Sequence, residues 1–185
     1  MGKAFQEKAL TSLRAAPLAV HGLLLAGCQS IQQLPTERLG SATLRFANGL
    51  PAGTAQLYGN GSEVSLSVAL AGLDAGTRGI HLHTTGSCEA PGFTSAGGHL
   101  NPQGHQHGTE NPQGAHLGDL PNVTIGAGGG GTVSATLRGA RADVLGSIFD
   151  ADGTAIVVHA GPDDYRTDPS GNSGDRIACG VFARS

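Results

Sequence analysis

Residues 64–70 read VSLSVAL and have the clearest two-residue repeat in the chain. Val64, Leu66, Val68 and Leu70 alternate with serine and alanine. Successive side chains of a β-strand point to opposite faces, so this pattern predicts a strand with one face in an apolar core.

Similar short segments on both sides of this stretch predict further strands. They cover residues 42–46, 80–83, 132–137, 144–149, 154–159 and 176–182. The 185-residue chain contains 31 glycines and no long helical repeat, which is typical of short strands joined by turns. We therefore predict one all-β domain of about eight strands without helices, arranged as a sandwich or barrel.

Two long polar loops interrupt the predicted strands, at residues 97–122 and 160–175. The first has almost nothing apolar to bury, and it contains a dense group of potential metal ligands: His99, His105, His107, His116 and Asp119. Loops of this length in a small domain are usually functional or disordered. Because imidazole and carboxylate groups bind zinc and copper, the composition favours a metal site.

Three histidines outside this loop extend the predicted site. His81 and His83 lie two residues apart on a predicted strand, so their side chains point the same way. His159 ends another predicted strand. Any one of these histidines alone is more readily explained as an ordinary surface or core side chain, so the prediction depends on the complete set.

The potential ligands and their neighbours follow one another in a fixed order. The segments are His81-Leu82-His83, Cys88, His99-Leu100-Asn101-Pro102, His107, His116-Leu117-Gly118-Asp119-Leu120, Val157-Val158-His159 and Gly174-Asp175-Arg176-Ile177-Ala178-Cys179-Gly180. In order and spacing, this string resembles the copper/zinc superoxide dismutase family in its bacterial exported form. The resemblance runs from about residue 41 to the C-terminus. It implies an eight-stranded Greek-key sandwich or flattened barrel with two long functional loops.

The resemblance implies one copper and one zinc ion per chain. It assigns the copper ligands to His81, His83, His99 and His159, and the zinc ligands to His99, His107, His116 and Asp119. His99 would bridge the two metals with one ring nitrogen on each. His105 is the histidine left over, and we expect it to be exposed to solvent.

The resemblance also assigns roles to residues that are not metal ligands. It implies that Arg176 guides and hydrogen-bonds an anionic substrate, although an ordinary salt bridge to a nearby aspartate is the alternative. Asp163 is expected to link a copper histidine with a zinc histidine, and Asp164 is its competitor for this role. A disulfide bond is implied between Cys88 and Cys179.

The activity implied by the resemblance is dismutation of superoxide, with Arg176 and His99 as catalytic residues. One alternative is a copper/zinc buffering or delivery module without turnover, and the retained Arg176 counts against it. Another is a copper-only member of the family. The presence of His107, His116 and Asp119 counts against that alternative.

The N-terminal segment predicts export. Lys3, Lys8 and Arg14 precede an apolar run at residues 15–27 that is too short to span a bilayer, and this order is typical of a secretory signal. The run ends in Leu25-Ala26-Gly27-Cys28, which resembles a bacterial lipobox with Cys28 as the lipidated residue. An ordinary signal peptide or a short cytosolic helix is the alternative.

These features divide the chain into a signal peptide at 1–27, a lipidated cysteine and tether at 28–40, and a dismutase domain at 41–185. We expect the protein on the periplasmic side, in contact with a membrane only through the lipid anchor, with the outer membrane as one candidate. A homodimer is compatible with the sequence.

The charge pattern argues against nucleic acid as a partner. From residue 29 onward the chain has 8 arginines, no lysine and 13 acidic residues, a formal charge of −5. A phosphate-binding surface would need clustered basic residues. Attraction of an anionic substrate to such an acidic domain must therefore be local to the site.

Overall fold

A computed structural model of the chain describes residue 2 and residues 36–185. The predicted signal peptide, Cys28 and the first part of the predicted tether lie outside the described residues. Within the described part of the chain, no helix is long and apolar enough to cross a membrane.

Short strands dominate the described residues. The elements are β1 (Glu37–Phe46), β2 (Pro51–Asn60), β3 (Glu63–Leu70), β4 (Gly76–Arg78), β5 (Ile80–His83), a 3-10 turn (Thr94–Ala96), β6 (Val123–Ile125), β7 (Gly131–Leu137), α1 (Arg141–Ile148), β8 (Ala155–His159), β9 (Arg176–Val181) and β10 (Ala183–Arg184). The predicted all-β class is confirmed.

One curled antiparallel sheet contains most of these strands. Its order is β5-β8-β9-β1-β2-β3-β7, and β10 pairs with β1. The remaining strands, β4 and β6, form a separate antiparallel pair. The two long polar segments predicted from the sequence lie between β5 and β6 and between β8 and β9.

The main core lies along the sheet face predicted from the alternating residues. Val64, Leu66, Val68 and Leu70 of β3 are all buried, as the two-residue repeat predicts. Fully burying an aliphatic side chain of this size stabilises the fold by about 1.5–3 kcal/mol. A smaller hydrophobic cluster, which contains Phe93, packs on the face of β8 and β9 that points away from the main core.

The predicted strand at residues 144–149 is wrong, because this segment lies mostly within α1. Val144 and Ile148 are the buried residues of the helix, and they are four positions apart. That spacing places both side chains on one helical face, whereas a strand would bury every second residue. Asp143 lies in the first turn, where a carboxylate interacts favourably with the helix dipole.

Two further differences concern β1 and β2. The strand β1 begins at Glu37, so residues 37–40 of the predicted tether belong to the sheet. The strand β2 is not predicted by the sequence pattern. Its buried positions include Ala52 and Ala55, and alanine carries little of the β-branched or aromatic signal that marks a strand.

The pairing of β5 with β8 places the histidines of β5 on the face that points away from the main core. His81 pairs with Val157 and Leu82 with Ile156. Leu82 and Ile156 therefore point into the main core, while His81 points to the opposite face. The sheet thus fixes the direction of the first predicted ligands.

Candidate metal centre

The strands β5, β8 and β9 place four polar side chains next to one another. His81 and His83 share one face of β5, and His159 ends β8 on the same face. His159 pairs with Arg176 of β9 at a register shift in the ladder. Three predicted metal ligands and the predicted anion guide thus come from adjacent strands.

The loop between β5 and β6 folds back along the free edge of β5. The Leu82 N–H donates to the Gly118 carbonyl (3.0 Å), and the Leu100 N–H donates to the Leu82 carbonyl (2.8 Å). A side chain at Gly118 would place a Cβ 2.3 Å from the Leu82 oxygen, so only glycine permits this approach. The backbone contacts bring His99 beside His83 and Asp119 beside His81.

A first group of ligands consists of four buried histidines, His81, His83, His99 and His159. One ring nitrogen of each is buried and has no hydrogen-bond partner among the described residues: His81 Nδ1, His83 Nε2, His99 Nε2 and His159 Nε2. Buried polar atoms are almost always paired, so unpartnered nitrogens that face one another are suited to binding a common metal ion. Four nitrogen donors suit copper.

The other ring nitrogens of two of these histidines are fixed by backbone carbonyls. His83 Nδ1–H donates to the Gly97 oxygen (3.0 Å), and His159 Nδ1–H donates to the Gly174 oxygen (3.1 Å). In a neutral imidazole, a proton on Nδ1 leaves the Nε2 lone pair free. The carbonyls therefore select the tautomer that a metal requires.

A second group consists of His99, His107, His116 and Asp119, all buried. Asp119 Oδ1 lies 2.9 Å from His99 Nδ1 and 3.1 Å from both His107 Nδ1 and His116 Nδ1. Tetrahedral zinc with bonds of about 2.0–2.1 Å needs its ligand atoms roughly 3.3 Å apart. The donor set and its spacing fit zinc.

His99 belongs to both groups. Its Nε2 faces the four-histidine group without a partner, and its Nδ1 faces Asp119. One imidazole can therefore present a nitrogen to each of two metals. The residues present thus fit an adjacent copper and zinc ion.

A carboxylate connects the two groups from behind. Asp163 Oδ2 accepts a hydrogen bond from His81 Nε2 (2.7 Å), and Asp163 Oδ1 accepts one from His107 Nε2 (3.0 Å). Its predicted competitor, Asp164, is exposed and accepts hydrogen bonds from the N–H groups of Arg166 and Thr167 in its own loop. Of the two aspartates, only Asp163 contacts histidines of both groups.

Gly171 makes room for this carboxylate. It has φ +63°, and a Cβ there would lie 1.9 Å from Asp163 Oδ1 and 2.7 Å from His107 Nε2. Nothing in the local sequence identifies Gly171 among so many glycines, because the contact is made across two loops.

Burial keeps the first group neutral at ordinary pH. It lowers the pKa of His81 to about 3, of His83 to about 2 and of His159 to about 4, and it also lowers the pKa of His99. Desolvation disfavours the charged imidazolium. Neutral imidazole is the form that binds metal.

In and beside the second group, His107 and the carboxylates of Asp119 and Asp163 shift one another's pKa values. Burial by itself lowers the pKa of His107, but the carboxylates of Asp119 and Asp163 outweigh it and raise that pKa to about 9. Burial likewise opposes ionisation of both aspartates, whereas hydrogen bonds from the histidines hold their pKa values well below the usual range. Both carboxylates are therefore ionised and available to cations.

Arg176 lies beside the open side of the first group. Its Nη1 donates to the Phe93 oxygen (2.8 Å) and its Nη2 to the Gly97 oxygen (2.7 Å). The side chain forms no ion pair with a described aspartate or glutamate, so the salt-bridge alternative is not observed. Arg176 lines a cavity of about 350 Å³ that is also lined by His83, His99 and His159.

The predicted disulfide bond between Cys88 and Cys179 is confirmed. It links the segment after β5 to β9, three residues from Arg176. Phe93 and Gly97, whose carbonyls hold the arginine, lie on the same linked segment.

His105 is exposed, as predicted, and lies outside both ligand groups. Its Nδ1 donates to the Ala115 carbonyl (3.1 Å). The predicted ligands, on two strands and one loop, are brought together in two buried groups.

Comparisons with known proteins agree with this geometry. Residues 51–182 match the family model described as copper/zinc superoxide dismutase. A copper-zinc superoxide dismutase from Aquifex aeolicus is 41% identical over 147 residues, which cover 76% of this chain and 84% of that protein. A copper-zinc superoxide dismutase from Deinococcus radiodurans is 37% identical over 183 residues, covering 92% of this chain and 96% of the relative.

Solved structures of related proteins resemble this chain in fold. A SOD-like protein from Bacillus subtilis has a TM-score of 0.70 at 35% identity, covering 80% of this chain and 99% of that one. The Cu/Zn superoxide dismutase from Brucella abortus has a TM-score of 0.59 at 26% identity, covering 76% and 97%. These likenesses confirm the predicted Greek-key sandwich. The chain belongs to the copper/zinc superoxide dismutase family, among its bacterial members.

Proposed function

We propose that this protein dismutates superoxide to dioxygen and hydrogen peroxide, with one copper and one zinc ion per chain as cofactors. The observation that carries the proposal is the pair of buried ligand groups that share His99, with unpartnered nitrogens facing one another at the end of an open cavity.

His81, His83, His99 and His159 would hold copper, and His99, His107, His116 and Asp119 would hold zinc. When bound, copper supplies a one-electron couple that one superoxide can reduce and a second can reoxidise, whereas zinc has no redox chemistry and supplies fixed charge and geometry. Asp163 orients His81 and His107 from behind, so that each presents its Nδ1 to a metal.

Arg176 would capture the substrate. Two backbone carbonyls hold its guanidinium at the cavity, so the positive charge is already in place when an anion arrives. From residue 29 onward the chain is acidic, with 8 arginines against 13 acidic residues. Attraction of superoxide therefore has to come from this local charge.

His99 has a second role in the proposal. Formation of hydrogen peroxide from superoxide requires two protons. Its Nε2 has no hydrogen-bond partner in the described part of the chain, its ring lines the cavity, and its Nδ1 is held toward Asp119. His99 Nε2 is therefore a nitrogen that can carry a proton to the reaction site.

Arg176 also favours turnover over simple metal storage. A copper and zinc buffer needs the ligands but has no use for a preorganised cation beside the cavity. A guanidinium that is held by carbonyls and paired with none of the described carboxylates is suited to binding an anion.

The test compares metal content and superoxide consumption in the wild type, Arg176→Ala and Arg38→Ala. Arg38 is exposed on β1, so its loss removes the same charge away from the cavity. We expect all three proteins to bind about one copper and one zinc. Turnover should fall by about tenfold or more in Arg176→Ala alone, since local steering is worth roughly 10 to 10³ in rate. Full metal loading without turnover in the wild type would favour the metal buffer instead.

We propose further that residues 1–27 are a signal peptide, that Cys28 is lipidated, and that the protein is anchored to a membrane on the periplasmic side, with the outer membrane as one candidate. The support is the basic and apolar pattern that ends in Leu25-Ala26-Gly27-Cys28. Fractionation of cells that express the wild type or Cys28→Ser tests this. Equal membrane retention of the two proteins would contradict the anchor. We also propose that the protein can form a homodimer. Sedimentation of the purified protein, which measures its mass in solution, can test this.

A further inference from the structure

Tyr165 has an unusual backbone conformation beside the carboxylate that connects the two ligand groups. It lies two residues after Asp163 and has φ +64°, in the left-handed region. Non-glycine residues are rare there, because the conformation costs free energy and persists only when the surroundings hold it. The contacts of Tyr165 show what holds it.

Three polar groups of Tyr165 form hydrogen bonds with three residues on two loops. Its N–H donates to Asp163 Oδ1 (2.6 Å), and its carbonyl accepts from the Glu110 N–H (3.0 Å). Its hydroxyl oxygen accepts from the Asn122 N–H (2.8 Å). One residue therefore ties the loop after β8 to the middle and to the C-terminal end of the ligand-bearing loop.

Asn122 completes a ring of hydrogen bonds around Asp163. Its Nδ2 donates to the Asp163 carbonyl (2.9 Å), and its Oδ1 accepts from the Asp163 N–H (2.9 Å). Asn122 thus fixes the main chain of Asp163, while the Tyr165 N–H fixes its carboxylate. The Asp163 carboxylate is therefore held by the Tyr165 N–H as well as by the two histidines.

The oxygen that Tyr165 contacts is shared. Asp163 Oδ1 accepts from both the Tyr165 N–H (2.6 Å) and His107 Nε2 (3.0 Å), while Oδ2 accepts from His81 Nε2 (2.7 Å). Rotation of this carboxylate would weaken its bonds to both histidines. The contacts around it are closely fitted, because even a Cβ at Gly171 would overlap with it.

From these contacts we propose that Tyr165 is a positioning residue for both metal sites, acting through Asp163. The inference rests on the proposed function, because it assumes that His81 and His107 hold metals. The hydroxyl anchors the ring to Asn122, and this anchor maintains the left-handed backbone that aims the N–H at Asp163. Without the anchor, the backbone relaxes and the carboxylate loses its fixed orientation.

The test uses the purified protein loaded with copper and zinc. The variants are Tyr165→Phe, which removes only the hydroxyl, Asp163→Asn as the positive control, and Tyr58→Phe as the matched control. Tyr58 is the only other tyrosine in the sequence, and its hydroxyl bonds Gln56 within β2. The readouts are the rate of zinc release to a chromogenic chelator and the electron paramagnetic resonance spectrum of Cu(II).

We expect Tyr165→Phe to release zinc about three- to tenfold faster than the wild type and to have an altered Cu(II) spectrum. Loss of a residue that directly orients a metal ligand weakens metal binding by about 10- to 100-fold, and Tyr165 acts one step further out. Asp163→Asn should show the larger effect, and Tyr58→Phe should match the wild type. Asn122→Ala cuts the same ring at its other side and should resemble Tyr165→Phe.

Several outcomes would overturn the inference. If Asp163→Asn speeds zinc release while Tyr165→Phe and Asn122→Ala do not, Tyr165 has no positioning role and the proposed function stands. If Tyr165→Phe lowers only the melting temperature of the metal-free protein, the residue is merely structural. If the wild type holds neither copper nor zinc, the proposed function fails and the inference fails with it.

Discussion

At the scale of single residues, the atoms that matter most are the ring nitrogens. In each of His81, His83 and His159, one nitrogen is bonded to an oxygen and the other is free. The oxygen fixes the tautomer and the ring orientation. Asp163 does this for a histidine of each proposed site, so its loss should affect both metals.

We predict that Asp163→Asn weakens zinc binding by about 10- to 100-fold, since loss of an outer partner of a metal-binding histidine has effects of this size. The amide offers one acceptor oxygen where the carboxylate offers two, so one ring loses its partner. Competition with a chelator of known affinity measures the change.

Asp164→Asn is the matched control, because Asp164 is adjacent and exposed and bonds only groups of its own loop. Its zinc affinity should equal that of the wild type. Equal affinities in all three proteins would contradict the role proposed for Asp163.

The spacing of histidines in the sequence predicted which side chains approach one another, but several of their partners were beyond sequence reasoning. The carbonyls of Gly97 and Gly174 orient His83 and His159. Every residue has a carbonyl, so no residue type signals this role. Tyr165 and Gly171 act through contacts between loops, which only the folded chain displays.

At the scale of elements, β5, β8 and β9 form a rigid base for the site, and two loops close over it. The disulfide bond joins the loop between β5 and β6 to β9. Because Phe93 and Gly97 of that loop hold Arg176 of β9, the bond and the arginine fix the same junction.

We predict that replacing Cys88 and Cys179 together by alanine lowers the free energy of unfolding by about 2–4 kcal/mol. The bond closes a loop with a sequence separation of 91 residues, so its loss frees much entropy in the unfolded chain. Denaturant titration of the metal-free protein measures the loss, with the wild type under reducing conditions as the comparison. Equal unfolding midpoints for the oxidised wild type and the variant would contradict the prediction.

The elements also show where sequence patterns succeed and fail. In β3, large aliphatic residues alternate with small ones, and this strand was predicted correctly. The segment that forms α1 is short and contains glycine, so its helical spacing of Val144 and Ile148 was mistaken for a strand. The strand β2 has small buried residues and no clear alternation of large side chains, so its place in the sheet depends on pairing with β1 and β3.

At the scale of the whole molecule, the fold buries many ionisable side chains that would bind metal ions. In the metal-free protein these groups make stability depend on pH. Burial lowers the pKa of His81 to about 3 and that of His159 to about 4, from the ordinary value of 6.5. His107 is the opposite case, because two carboxylates raise its pKa to about 9.

We predict that the metal-free protein is most stable near pH 6.5, the ordinary histidine value. Below that pH, these histidines are protonated in the unfolded chain but stay neutral in the folded chain. The free energy of unfolding therefore falls as the pH is lowered toward 4. Above it, the folded chain keeps the His107 proton that the unfolded chain has lost, so stability falls as the pH rises toward 9.

The free energy of unfolding should change more steeply with pH on the acid side. There, several imidazoles differ in protonation between the folded and unfolded chains, whereas on the alkaline side only His107 does among these histidines. Urea unfolding in the presence of chelator, repeated from pH 4.5 to 9, measures this curve. A free energy of unfolding that is constant across this range would contradict the prediction.

We propose that the two ligand groups form one copper and zinc centre that consumes superoxide. The most direct measurement is superoxide decay in the presence of the protein prepared metal-free, with zinc alone, and with copper and zinc. We predict decay in proportion to protein concentration with both metals, and decay at the rate of buffer in the other two preparations. Decay at the rate of buffer with both metals bound at one per chain would contradict the claim.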